Sequence, residues 1–163
     1  MTAATTSETA RFSADSFTLI GLTGVLFAVL GATDLVTQLF PLGLGSPEWE
    51  FGTYSSMMDS IPLFAMGLGF LAVYSVARAH RGLGIFVGIT FILIALFVLA
   101  FAFLYATNLP QVLRVRPRNP AQAALQTGVK KAVVKGTLQA AIYPIAFLWM
   151  GIFAIRHAGK ARR

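Results

Sequence analysis

"FVGITFILIALFVLAFAFLY", residues 86–105, carries no charge and shows no polar face. Twenty residues rising 1.5 Å each make a helix about 30 Å long, the thickness of a bilayer's hydrocarbon core. A surface helix of a soluble bundle needs a polar outer side, and this stretch has none. A membrane-spanning β-strand would alternate in hydrophobicity over about ten residues, and it does not. The stretch reads as a transmembrane helix. Around it, residues 82–113 contain no Asp, Glu, Lys or Arg, and the same holds for 17–33, 60–77 and 136–155.

The fold expected is therefore an all-α integral membrane protein: a four-transmembrane-helix bundle with helices at about 17–40, 58–78, 83–107 and 130–156. Composition agrees, with 56% hydrophobic residues, 12% charged and a mean hydropathy of +0.73. Soluble domains carry about 25% charged residues. The expected layout is a polar N-terminal tail at 1–16, one domain at 17–157 and a basic C-terminal tail at 158–163. The first apolar stretch is longer than a signal-peptide core and no clear A-x-A site follows it, so cleavage is not expected. In the third connection, "RPRNPAQAALQTG" offers Asn119 as a cap, Pro120 at a first helical position and Gly128 as a stop. A short surface helix is expected there, at about 120–127.

Charge is split along the chain. All six acidic residues lie in the first 59, and 12 of the 13 Lys and Arg follow. Basic residues flanking membrane helices meet anionic head groups or set orientation. No basic stripe with interleaved aromatics suggests nucleic acid, so the partners expected are membrane lipids and other integral membrane subunits. Four crossings put both termini on one side. The first loop lacks Lys and Arg and the second, "RAHRG", is basic, which places the termini in the cytoplasm of a bacterial inner membrane.

Loops one and three share a side whichever way the protein points. Glu48 and Glu50 in the first are the natural counter-charges of Arg114, Arg116 and Arg118 in the third. Asp34 and Lys135 lie at similar depth inside helices 1 and 4. An unpaired ionisable group there costs a few kcal/mol on insertion scales, so an Asp34–Lys135 contact is expected, with Asp59 as the competing partner. Asp34 and Gln38 share one helix face. Lys131, Lys135, Gln139 and Tyr143 recur every four residues. Together these residues would form either a polar clamp fixing helix register or a pocket for a small ligand. The clamp is the preferred reading, because nothing ionisable continues the seam across the membrane.

Small residues mark packing faces: Gly21, Gly24, Ala28, Gly31 and Ala32 on helix 1, Ala65 and Gly69 on helix 2, Gly84 and Gly88 on helix 3. Phe91, Phe97, Phe101 and Phe103 point around all of helix 3, as expected of a rod facing lipid or another subunit. Ser56 and Asp59 have a capping-box spacing for helix 2. Trp49, Phe51, Tyr54 and Trp149 suit the interfacial aromatic belt.

Catalytic and metal chemistry lack their usual residues. There is no Cys, and His80 and His157 have no companion at ligand spacing. Hydrolase, zincin, Walker and dinucleotide motifs are missing. Neither an enzyme nor a cofactor is expected. The segment "PLGLGSPEWEFGTYSSMMDSIPLF", with Lys135, Gln139, Tyr143 and Pro144 as a later "K…Q…YP", resembles small uncharacterised four-helix bacterial membrane proteins. That resemblance implies the topology and carries no function. The leading expectation is a non-catalytic accessory or scaffold subunit of a larger membrane complex, photosynthetic or respiratory in kind. The alternative is a stand-alone protein binding an anionic or amphipathic ligand around Asp34 and Lys135.

Overall fold

The computed structural model describes residues 3–114 and 120–158, with side chains described except at 3–15, 47–48, 112 and 120–127. Among these residues there are four α-helices: α1 (Ala3–Leu39), α2 (Pro47–Ala77), α3 (Arg81–Arg114) and α4 (Pro120–Ala158). Each contains a segment long and apolar enough to cross a membrane: Ser16–Leu39, Trp49–Ala77, Arg81–Gln111 and Gly128–Ala158. This is the signature of a multi-pass membrane protein.

The helices are longer than their charge-free runs. Residues 3–16, read from sequence as a polar tail, continue α1 as helix. α2 begins eleven residues earlier than expected, at Pro47. Ser46 is its N-cap and accepts a hydrogen bond from Trp49 N at 3.4 Å, and Pro47 follows at the first helical position. Ser56 and Asp59 are therefore mid-helix, not a capping box. Most of what looked like loop one is helical, and the real connection is only residues 40–46. It contains a cis Phe40–Pro41 bond and a left-handed Gly45 at φ 91°. The expected separate helix at 120–127 is also corrected. Pro120 does open a helix, but it runs through Gly128 to Ala158. A glycine inside a helix costs about 1 kcal/mol relative to alanine, too little to stop a helix this long.

The bundle is open. Among the described residues α1 packs only on α2, α2 packs on α3, and α3 packs on α4, while α2 touches α4 lightly. The core is the α2–α3 seam. On α2, Tyr54, Met58, Ile61 and Leu68 are buried; on α3, Val87, Phe91, Ala95, Val98 and Tyr105 are. The α2 steps of four, three and seven residues keep one face turned to the partner, as in a coiled coil. Phe91 is thus a core residue at 1% exposure, not part of a lipid-facing rod, whereas Phe103 is 70% exposed.

Backbones meet at glycines. A Cβ on Gly67 would lie 2.3 Å from Ala28 N, and one on Gly31 would lie 2.5 Å from Phe64 N. Those contacts hold α1 against α2. Gly88 and Gly151 do the same for α3 and α4: a Cβ on either would lie 2.8 Å from the other's carbonyl oxygen. Ala65 packs against the core, whereas a Cβ on Gly69 would meet nothing within 4 Å. They line an apolar groove of about 730 Å³ between α2 and α4, floored by Phe91.

Candidate polar site at the loop end of the bundle

The polar side chains gather where α2 and α4 begin and α3 ends. Glu50 is 8% exposed, one turn into α2. Its carboxylate accepts from the Asn108 amide on α3 and from Gly45 N at 2.8 Å. Asn108 also donates to Leu104 O at 3.1 Å. Glu50 thereby ties the left-handed turn of the first connection to α3. The expected pairing of Glu50 with Arg114 is not formed; Glu50 is held by Asn108 and Gly45 instead. Arg114 has no hydrogen bond or ion pair among the described residues. Arg116 and Arg118, and the side chain of Glu48, lie outside them.

One helical turn deeper, two tyrosines reach α4. Tyr54 Oη donates to Gly136 O at 3.1 Å and Tyr105 Oη to Val133 O at 3.4 Å. Their rings stack at 4.4 Å, and Phe51 stacks on Tyr105 at 5.3 Å. Gly136 is glycine for a reason of space: a Cβ there would sit 3.2 Å from Tyr105 Oη and 3.3 Å from a Tyr54 ring carbon. Trp49 does not stand free in a belt but covers the connection, 2.9 Å from where a Gly43 Cβ would be.

Beside the tyrosines, the Lys135 ammonium pairs with Asp59, not with Asp34. Both partners are 56% exposed. The Asp34–Lys135 contact fails because α1 and α4 do not touch among the described residues. Asp34 and Gln38 are half-buried on one face of α1, and neither side chain has a partner among the described residues. Lys131 is exposed and likewise unpaired among them.

Gln139 does have a role in packing. Its amide donates to Tyr143 Oη at 3.1 Å and to Met58 O at 3.4 Å. Met58 O is the carbonyl that Pro62, lacking an N–H four residues on, leaves without its helical donor. A side chain from α4 thus completes α2, the kind of compensation a membrane helix needs around proline.

The arrangement is a closed set. Among the described residues no buried side-chain nitrogen or oxygen lacks a hydrogen-bond partner, and no cluster of His, Asp or Glu could hold a metal. Sequence reasoning missed Asn108 and the tyrosine pair. The available signal was spacing: Glu50 and Tyr54 are four apart on α2, and Tyr105 and Asn108 are three apart on α3, so each pair shares a face. Compared with known proteins, the chain matches no family model, no curated protein and no solved structure.

Proposed function

We propose that the protein is a non-catalytic subunit of a larger integral membrane assembly, and that α1 is the helix it offers to its neighbours. The observation that carries this reading is Asp34. Its carboxylate lies five residues from the end of α1, about 7.5 Å inside it, on a helix that among the described residues packs on α2 alone. Together with Gln38, four residues on, it has no partner among the described residues. Polar groups at such depth pair with other protein groups, and interhelical hydrogen bonds act as adhesive between membrane helices. A donor on another subunit would complete the pair.

The polar cluster around Glu50, Asn108, Tyr54, Tyr105, Asp59 and Lys135 acts in this reading as a clamp for α2, α3 and α4. Among the described residues its buried members satisfy one another. The membrane is a bacterial inner membrane with both termini cytoplasmic, a placement supported by the basic second connection and the Lys- and Arg-free first one.

The test is mild solubilisation of host membranes followed by native mass measurement. The wild-type chain is expected at a mass well above its own 17.5 kDa, together with a second integral membrane polypeptide. Asp34→Leu is expected to release it as a monomer with an unchanged melting temperature. A wild-type monomer in several mild detergents defeats the proposal.

A further inference from the structure

We infer that the groove between α2 and α4 holds one acyl chain of an anionic phospholipid, with the head group seated on the basic end of the bundle. The two helices meet at Asp59–Lys135 and Met58–Gln139. Further along they bound the 730 Å³ groove, whose α2 wall includes the small residues Ala65, Gly69 and Ala72 and whose α4 wall includes Trp149 and Phe153. A second groove of about 350 Å³ shares Ala72 and Phe153 and continues to Ala77. From Ala65 to Ala77 is about 18 Å of helix, close to the roughly 15 Å depth of one hydrocarbon leaflet. The walls are almost wholly apolar, which suits a hydrocarbon tail and offers a polar ligand nothing.

Charge decides which lipid. Arg78, which follows Ala77, donates to Thr18 on α1 at 3.2 Å and so serves the α1–α2 side, not the groove. Arg156 lies three residues beyond Phe153, on the same side of α4, and is exposed. Arg81 opens α3, and Gly84 one turn later packs between Ala158 of α4 and Ser75 of α2. The first turn of α3 is thereby set between the two helix ends that bound the groove. No Asp or Glu occurs anywhere after Asp59, so Arg81 and Arg156 meet no acidic side chain from α3 or α4. A phosphodiester head group without a compensating amine fits them, and each arginine near the surface favours such a lipid by roughly fivefold.

The inference does not rest on the assembly reading: lipid-sized mass increments report this site, protein-sized ones the other. The experiment is native mass spectrometry of the full chain in detergent with added phosphatidylglycerol or phosphatidylcholine at equal concentration. One tightly held phosphatidylglycerol per chain is expected, preferred over phosphatidylcholine roughly fivefold or more. A Cβ on Gly69 meets nothing within 4 Å, so Gly69→Leu fills the groove without disturbing a helix contact. It is expected to weaken retention of both lipids about tenfold, since each buried methylene contributes to binding. Arg156→Gln, at an exposed position, is expected to retain lipid but lose most of the head-group preference. Equal retention of the two lipids by the wild type overturns the inference. So does undiminished retention by Gly69→Leu, or a polypeptide increment that displaces lipid from the groove.

Discussion

At the scale of single residues, the two carboxylates that the structure pairs sit in different surroundings and should behave differently. Glu50 is buried, and Asn108 is the donor to its Oε2 while Gly45 N serves Oε1. Asn108→Leu leaves a carboxylate oxygen without its donor in an apolar seam. A destabilisation of about 1–3 kcal/mol is expected, read as a lower melting temperature in detergent. The Asp59–Lys135 pair is more than half exposed on both sides, and exposed ion pairs contribute about 0–1 kcal/mol. Lys135→Ala is therefore expected to shift the melting temperature much less than Asn108→Leu. If Lys135→Ala is the more damaging of the two, the clamp is centred on the ion pair instead of the buried amide. The sequence showed that Asp59 and Lys135 could meet, because both are ionisable residues at the edges of apolar runs. It did not show Glu50 with Asn108. Glu50 looked like a loop charge, and an uncharged Asn within a long apolar run drew no attention.

At the scale of elements, the contacts turn on missing groups: a proline without an N–H, glycines without a Cβ. Gln139 supplies the donor that Pro62 withholds from Met58 O. Gln139→Leu should cost on the order of 1 kcal/mol, the usual size of an interhelical hydrogen bond in a membrane protein. In a Pro62→Ala background the new backbone N–H can reach Met58 O itself, so the same Gln139→Leu change should cost much less. A thermal double-mutant cycle checks this, and equal costs in both backgrounds would show that Gln139 acts only through Tyr143. The two glycines of α2 give a second contrast. Gly67→Ala sets a methyl 2.3 Å from α1 backbone and should destabilise by about 1–3 kcal/mol through overpacking, while Gly69→Ala meets open space and should be tolerated. Sequence marked Gly69 and Ala65 as a packing pair and passed over Gly67. The reason is physical. In lipid the outer face is as apolar as the core, so hydrophobic periodicity no longer marks the buried side. Element existence was legible from charge-free length. Helix starts were not, because Trp49, Glu50 and Phe51 are as compatible with an interfacial turn as with the first turn of α2.

At the scale of the molecule, the number of spans was readable and their arrangement was not. Nothing in four apolar runs distinguishes a closed square of helices from the arrangement observed, in which α2, α3 and α4 contact one another and α1 lies outside them on α2. In a closed bundle each helix has two neighbours, whereas among the described residues α1 has α2 alone. That difference decides which surfaces are free for partners and which are not, so it merits a direct test. The chain has no cysteine, so paired substitutions report geometry without a background. Phe27 and Phe70 have ring centroids 6.1 Å apart across the α1–α2 contact. A Phe27→Cys, Phe70→Cys variant is expected to crosslink within the chain under mild oxidation. Leu26 and Leu30 of α1 and Ile142 and Ile145 of α4 are all exposed. Pairs drawn across those two helices, such as Leu30→Cys with Ile142→Cys, are expected to give no crosslink within one chain. Efficient intramolecular crosslinking of such a pair means that the bundle closes and that Asp34 is brought toward α4 after all. The Asp34–Lys135 contact would then be reinstated, and the argument for an external partner at α1 would lose its footing. A crosslink from Leu30→Cys to a different polypeptide in intact membranes, with none to α4, is the pattern the open bundle requires, because it shows α1 meeting its second neighbour outside the chain.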